Sequence, residues 1–314
     1  MGKLDTITKE YMSRPQYFAD AFNSSVFKGK QIIKADELSL QEMDPTELGI
    51  IIKEDAKDIV QKVRDVLKKS VLMNNGKTAF LLLGIENQGE IHYAMPVKNL
   101  IYDALNYGQQ VSKIAHMHRK KKDLQEAEFL SGFSKGDKIM PVITLTVYYG
   151  NDDWDGPRRL KDMFSEDIGE EILDEVDDYK LHLIIPKEIK DFSVFRSDFG
   201  KAMEFIAVSD DAEGIEKLKT NKKFEKVGIE TVYLINECTG SNIAIEEGEE
   251  VVNVCKGIDG YGKKEREKGI EQGKLFGLMD LVVDGDLSIE KAARRANMTV
   301  DEFQKLMEET LQPV

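Results

Sequence analysis

Apolar residues recur at helical spacing early in the chain: Phe18, Ala21, Phe22 and Val26 predict a helix within residues 17–27. Residues 38–47 contain Met43-Asp44-Pro45, a turn or helix-start signal. Two apolar runs, residues 63–73 and 78–86, then read as strands. Between them stands Asn74-Asn75-Gly76-Lys77, and Asn-Gly in that position predicts a β-hairpin. After Pro96 the helical period returns, and residues 97–122 predict a long helix with Leu100, Ile101, Ala104, Leu105, Val111 and Ile114 on its buried side. VITLTVYY (142–149) and YKLHLII (179–185) read as strands, closed by Gly150 and Pro186. Further helices are predicted at 199–208 and in the Lys-rich segment after Glu213. Helix, hairpin, helix, strand, strand is the order of an α/β sandwich around a small mixed sheet.

From about Gly257 the pattern changes. Gly269, Gly273 and Gly277 stand four apart, one stripe of a helix. Such a stripe lets two helices approach closely, and it equally describes a tether of low helicity. Two short helices follow, the second with a capping box of Thr299 and Glu302. They are similar to the first half of a helix-turn-helix, and also to any pair of amphipathic helices. The expected division is a core domain, residues 1–256, and a helical tail, residues 257–314.

Composition narrows the class. At 314 residues, 41% hydrophobic and 32% charged, the chain has the makings of a globular protein with a real core. No apolar stretch reaches the length of a membrane span, the start lacks an apolar signal region, and two cysteines make no disulfide framework. A cytoplasmic protein without membrane contact is the expectation. The net charge of −14 opposes long-range attraction to nucleic acid. It is uneven, however: residues 165–179 hold eight carboxylates, whereas basic residues gather at 113–122 and 217–226.

The hairpin brings candidate chemistry together. With Asn75-Gly76 as the central pair of a two-residue turn, cross-strand partners have numbers summing to 151. Asp65 and Glu86 meet that sum, and Gln88 shares their face two residues on. Two carboxylates that close repel unless a cation lies between them, and Mg²⁺ takes such ligands, polarises a phosphoryl oxygen and acidifies a bound water. The plainer alternative is a pair of solvent-facing acids, with Arg64 neutralising Asp65. On the following helix Tyr102, Asn106 and Gln109 fall on one side and are candidates for substrate contact. His116 and His118, two apart on a helix, diverge. The chain holds no GxxxxGK[ST] or GxSxG motif, and neither cysteine sits in a nucleophile context.

Asp, a hairpin, then Glu-x-Gln closing an apolar strand resembles the D…(D/E)xK pattern of restriction-endonuclease-like nucleases, with Gln in the place of Lys. Longer segments resemble the Rpn family of recombination-promoting nucleases and transposases, the YhgA-like proteins. These are FNSSVFKGKQIIKADEL, GIENQGEIHYAMPVKNLIYDALNYGQQ, FLSGFSKGDKIMPVITLTVYYG with the WDGPRRL that follows, and VVNVCKGI. The likeness spans most of residues 17–260 and is strongest in 84–110. It implies a restriction-endonuclease-like (PD-(D/E)XK) α/β core, a small mixed sheet flanked by helices with a helical tail behind it. The implied activity is that of a bacterial DNA endonuclease using Mg²⁺, Mn²⁺ or Ca²⁺, tied to recombination, transposition or defence. By the same resemblance Asp65 and Glu86 are metal ligands, Gln88 holds the lysine's place, and Asp20 on the first helix completes the site. An alternative of another class is a catalytically weak nuclease-fold protein that assembles into a homo-oligomer through its tail. The acidity and the uncharged Gln88 favour it.

Overall fold

The computed structural model describes residues 2–40, 66–74, 77–283, 285, 287–296 and 298–310. They divide into two compact units, one of residues 1–241 with 245–254 and one of 242–244 with 255–314. In the first unit, helices α1 (Lys3–Ser13) and α2 (Pro15–Ala21) lead through a π-helical turn, Phe22–Val26, to strand β1 (Leu38–Leu40). Proline at the first position of α2 leaves no backbone donor unsatisfied there, because the first N–H groups of a helix have no partner in any case. The Pro45 signal falls outside the described residues.

Strands β2 (Val66–Asn74) and β3 (Lys77–Gln88) pair antiparallel, from Val66 opposite Ile85 to Asn74 opposite Lys77. Every pair sums to 151, the register the Asn-Gly signal predicts. Helix α3 (Met95–Lys121) crosses over to β4 (Val142–Tyr148), which lies parallel to β3, and β5 (His182–Ile184) lies parallel to β4. The sheet is thus mixed, in the order β1-β2-β3-β4-β5. Residues Leu81 to Asn87 are all buried, so β3 is covered on both faces.

The two faces follow from alternation along the strands. Lys68 of β2 reaches the Ser13 carbonyl and the Phe18 ring, so its face carries α1 and α2. Helices α4 (Glu126–Ser131) and α5 (Glu170–Asp174) are short. Helix α6 (Asp198–Val208), α7 (Ala212–Lys219) and α8 (Ile229–Thr239) complete the unit with a small antiparallel pair, β6 (Val227–Gly228) and β7 (Val251–Val252). Apolar α6 buries Phe199, Ala202, Met203, Phe205 and Ile206, which recur at helical spacing.

The other face carries α3, and its packing corrects the helical pattern read from sequence. Of the six residues expected on the buried side only Leu105 is buried; Ala104 and Val111 are exposed, and Leu100, Ile101 and Ile114 are only partly covered. The buried stripe runs instead through Met95, Asn99, Tyr102, Asp103 and Asn106. Its polar members are tolerated because the sheet beneath offers hydroxyls and a carboxylate, and a buried polar group is stable where it is hydrogen-bonded.

In the second unit α9 (Val254–Val283) is followed by α10 (Ile289–Arg295) and α11 (Val300–Thr310). Met279, Ala292, Ala293 and Phe303 form a small core, joined by Leu275, Leu278 and Leu306. The capping box is present: Glu302 Oε2 accepts from the Thr299 N–H at 2.9 Å, and the Glu302 N–H donates to Thr299 Oγ1 at 3.3 Å. Among the described residues no helix is long and apolar enough to cross a membrane.

Candidate active site

Glu86 is the last carboxylate of β3, and it is 2% exposed. Charge buried that deeply demands a partner. Lys98 supplies one, its Nζ 2.8 Å from Glu86 Oε2 and its own side chain largely covered. The two meet because α3 begins soon after β3 ends and folds back over the strand. Lys98 sits on the first turn and returns to the strand's final residues.

The layer between α3 and the sheet continues in the same chemistry. Thr146 lies beside Glu86 on β4, and Asn99 Nδ2 donates to its hydroxyl at 3.0 Å. One turn further along α3, Asp103 accepts from Thr144 Oγ1 at 2.6 Å and from Tyr179 Oη at 2.7 Å. Asn99 Oδ1 is buried and meets no hydrogen-bond donor among the described residues. The layer therefore presents Glu86, an orphaned amide oxygen and two threonine hydroxyls, all hard oxygen donors of the sort Mg²⁺ accepts. Against this, the described residues hold no cluster of three or more His, Cys, Asp or Glu placed to bind a metal. The Lys98 ammonium also lies where a cation would neutralise Glu86. In donor chemistry the layer fits a hard cation; in charge, lysine already serves.

The structure treats the other residues singled out by sequence unequally. Asp65 lies outside the described residues. Gln88 is half-buried on the Glu86 face, opposite Tyr148, with its carbonyl accepting the Tyr149 N–H at 2.8 Å. Asp20 is not brought to Glu86. It lies on α2, against the opposite sheet face, and its carboxylate accepts from the Arg196 and Ser197 N–H groups and from the Ser197 hydroxyl. A carboxylate so engaged anchors the start of α6. Tyr102 and Asn106 are buried, 2% and 3% exposed, and the Asn106 amide donates to the Tyr102 carbonyl, so they pack the layer instead of facing a substrate. Gln109 is partly buried, its Nε2 without an acceptor among the described residues. Burial pushes the Cys238 thiol up to about 12, which leaves it protonated and unreactive at neutral pH.

Lys98, Asn99 and Asp103 are the residues that the sequence reading missed. Their signal was present as a polar stripe, Asn99, Asp103 and Asn106, matched to the alternating threonines of VITLTVYY. Compared with protein-family models, with curated proteins and with solved structures, the chain matches none.

Proposed function

We propose that the chain is a divalent-metal-dependent DNA endonuclease of the restriction-endonuclease-like kind, with its site at the end of the β2–β3 hairpin. The observation that carries this reading is the hairpin register. Its pairs sum to 151 throughout, and the reading takes Asp65 and Glu86 as the next pair in that series. The resemblance to the Rpn family, with its links to recombination and transposition, points the same way. Asp65 and Glu86 would hold the ion, Mg²⁺, Mn²⁺ or Ca²⁺. Such an ion supplies a polarised phosphoryl oxygen and an acidified water. This chain's own residues do the rest. Glu86 is fixed by its strand and by Thr146's strand beside it. Gln88, one alternation further, is placed to hydrogen-bond a water but brings no charge. Lys98 brings that charge from α3, an ammonium able to stabilise negative charge developing on phosphate.

A second reading has its own support. The Lys98–Glu86 ion pair neutralises the buried carboxylate without a metal, as expected of a nuclease fold kept as a scaffold for interaction. Plasmid nicking with Mg²⁺, Mn²⁺ and Ca²⁺ separates the two. Under the proposal the parent nicks supercoiled DNA and Glu86→Gln does not. Lys98→Met loses on the order of a hundredfold in rate, the typical cost of removing one charge-stabilising donor. Truncating one partner of a buried pair costs about 3–5 kcal/mol of stability. The double variant Glu86→Gln/Lys98→Met leaves neither charge alone and serves as the folded control. Cleavage that survives in Glu86→Gln, or a parent inert with every metal, sinks the nuclease reading and leaves the scaffold.

A further inference from the structure

Away from Glu86, the edge of the sheet carries a second constellation. The segment Arg158–Leu160 runs antiparallel to Tyr179–Leu181: the Leu181 N–H donates to the Arg158 carbonyl, the Leu160 N–H to the Tyr179 carbonyl, and Arg159 stands opposite Lys180. Residues directly opposite in an antiparallel pair project to the same side, and His182, two residues beyond Lys180, projects there too. Chain geometry alone therefore groups an arginine, a lysine and a histidine. Together with Arg158, Ser25, Val26, Leu181 and Leu183 they line a cleft of about 380 Å³.

The lining is unusual for this molecule. In a chain of net charge −14, no carboxylate among the described residues lines this cleft. Carboxylates instead hold the arginines in place: Glu188 takes Arg158 through both terminal nitrogens, at 3.0 and 2.5 Å, and Asp178 takes Arg159 Nε at 2.6 Å. A guanidinium has five N–H donors, so each arginine keeps donors beyond those pairs. The Lys180 side chain is exposed, and it forms no salt bridge among the described residues. Burial and the neighbouring Lys180 push the His182 imidazole below its ordinary range, with Asp103 acting weakly the other way. It is thus neutral at physiological pH and ready to take a proton when negative charge arrives. A second cleft of about 210 Å³ shares Ser25 and Leu183 with the first; Ile185, Ile189, Val194 and Phe195 line it, and so does Glu188, the partner of Arg158.

We propose that this edge is a binding site for a phosphomonoester that carries an apolar or aromatic group. The phosphate lies among Arg159, Lys180 and His182, with Arg158 at the margin of the cleft, and the attached group lies against Leu183 and Phe195. The guanidinium donors left over from the carboxylate pairs match a tetrahedral oxyanion, and the Lys180 ammonium, without a salt bridge among the described residues, supplies the positive charge. The two clefts together suit a nucleoside 5′-phosphate, either as a free nucleotide or as the phosphorylated end of a nucleic acid. The site is independent of the nuclease reading, because His182 shares its sheet face with Leu145 and Ile85 rather than with Glu86.

The test uses the full chain and no activity. The His182 ring proton is assigned by loss of its NMR signal in His182→Gln and followed against pH with inorganic phosphate, 5′-AMP, and 5′-phosphorylated and 5′-hydroxyl tetranucleotides. Binding raises the His182 titration midpoint, and 5′-AMP does so at lower concentration than inorganic phosphate because the second cleft takes its base. Lys180→Gln weakens 5′-AMP about tenfold, the loss of one charge-assisted contact, and Lys180→Glu weakens it further. Response to 5′-AMP alone assigns the site to free nucleotides, and response to the phosphorylated tetranucleotide assigns it to nucleic-acid ends; either upholds the proposal. An unmoved His182 with all four probes overturns it. So does undiminished binding in Lys180→Glu, or a 5′-hydroxyl tetranucleotide that binds as well as the phosphorylated one.

Discussion

Lys68 is an ammonium in the wrong place by any reading of hydrophobicity, and its surroundings state the consequence. It is 3% exposed, reaches the Ser13 carbonyl and lies 5.0 Å from the Phe18 ring centre. Burial pulls its pKa from the ordinary 10.5 to about 8. Below about 8 the side chain is charged in both folded and unfolded chains, and the folded state bears the full burial cost, on the order of 3 kcal/mol. Between about 8 and 10.5 the folded chain releases its proton first, and that cost fades. Lys68→Met, which fills the same space without charge, should therefore stabilise the protein at pH 7 by about 1–3 kcal/mol. The gain should shrink towards nothing near pH 10. Thermal melts of both proteins at the two pH values check this; a less stable Met variant at pH 7 would refute it. At this scale the sequence was a partial guide. Glu86 was legible because strand alternation and the turn signal locate it. Asp20 was not, because its partners, Arg196 and Ser197, lie about 176 residues away and no local pattern announces them.

Among the elements, the hairpin register was readable from the Asn-Gly signal, because a two-residue turn leaves only one pairing for regular strands. Helix α3 was readable in extent and not in orientation. Its apolar period suggested one face, whereas the threonines of β4 and Glu86 of β3 drew a polar face inward, a tertiary choice that periodicity alone does not encode. Its C-terminal end carries another device of this kind. The helix stops at Lys122, whose φ of 55° is left-handed, and His118 in the last turn joins two carboxylates beyond it. Nδ1 lies 2.7 Å from Asp123 and Nε2 2.9 Å from Asp137, while Asp137 also accepts the Ser134 N–H at 2.6 Å. Only the doubly protonated ring donates to both, and the hydrogen bonds to Asp123 and then Asp137 raise its pKa, as the helix C-terminus also favours. The contribution of this clasp is complete below the ordinary histidine pKa of about 6.5 and is lost as pH climbs through the raised folded value. Hydrogen exchange at the Ser134 amide, corrected for its intrinsic pH dependence, should quicken across that window, and His118→Gln should make it fast throughout. A His118 ring titrating at or below 6.5 by NMR would rule the clasp out.

For the whole molecule, two units raise the question of what the long helix α9 of the second is for. The glycine spacing left two readings open, close approach to another helix or a weakly helical tether, and the structure sharpens the choice at Gly277. A methyl group added there meets no atom of the described residues within 4 Å, and the neighbouring Phe276 side chain is about half exposed. Among the described residues, then, nothing requires glycine at 277. Its helical conformation is one that alanine adopts at lower entropic cost, by roughly 1 kcal/mol in a helix interior. Gly277→Ala should accordingly raise the helical circular dichroism of the full chain and leave its melting temperature equal or higher. If glycine is kept because a second copy packs against the stripe, the methyl would instead hold the two helices apart. The variant would then melt lower, and the difference would grow with protein concentration, because association stabilises the folded form by mass action. Melting and sedimentation at two well-separated concentrations distinguish these outcomes. The open surroundings of Gly277 favour the first, in which α9 holds together by its own backbone hydrogen bonds and by the small core that Met279 forms with Ala292, Ala293 and Phe303. Concentration-dependent destabilisation would reverse that conclusion and make the stripe the interface through which the chain assembles.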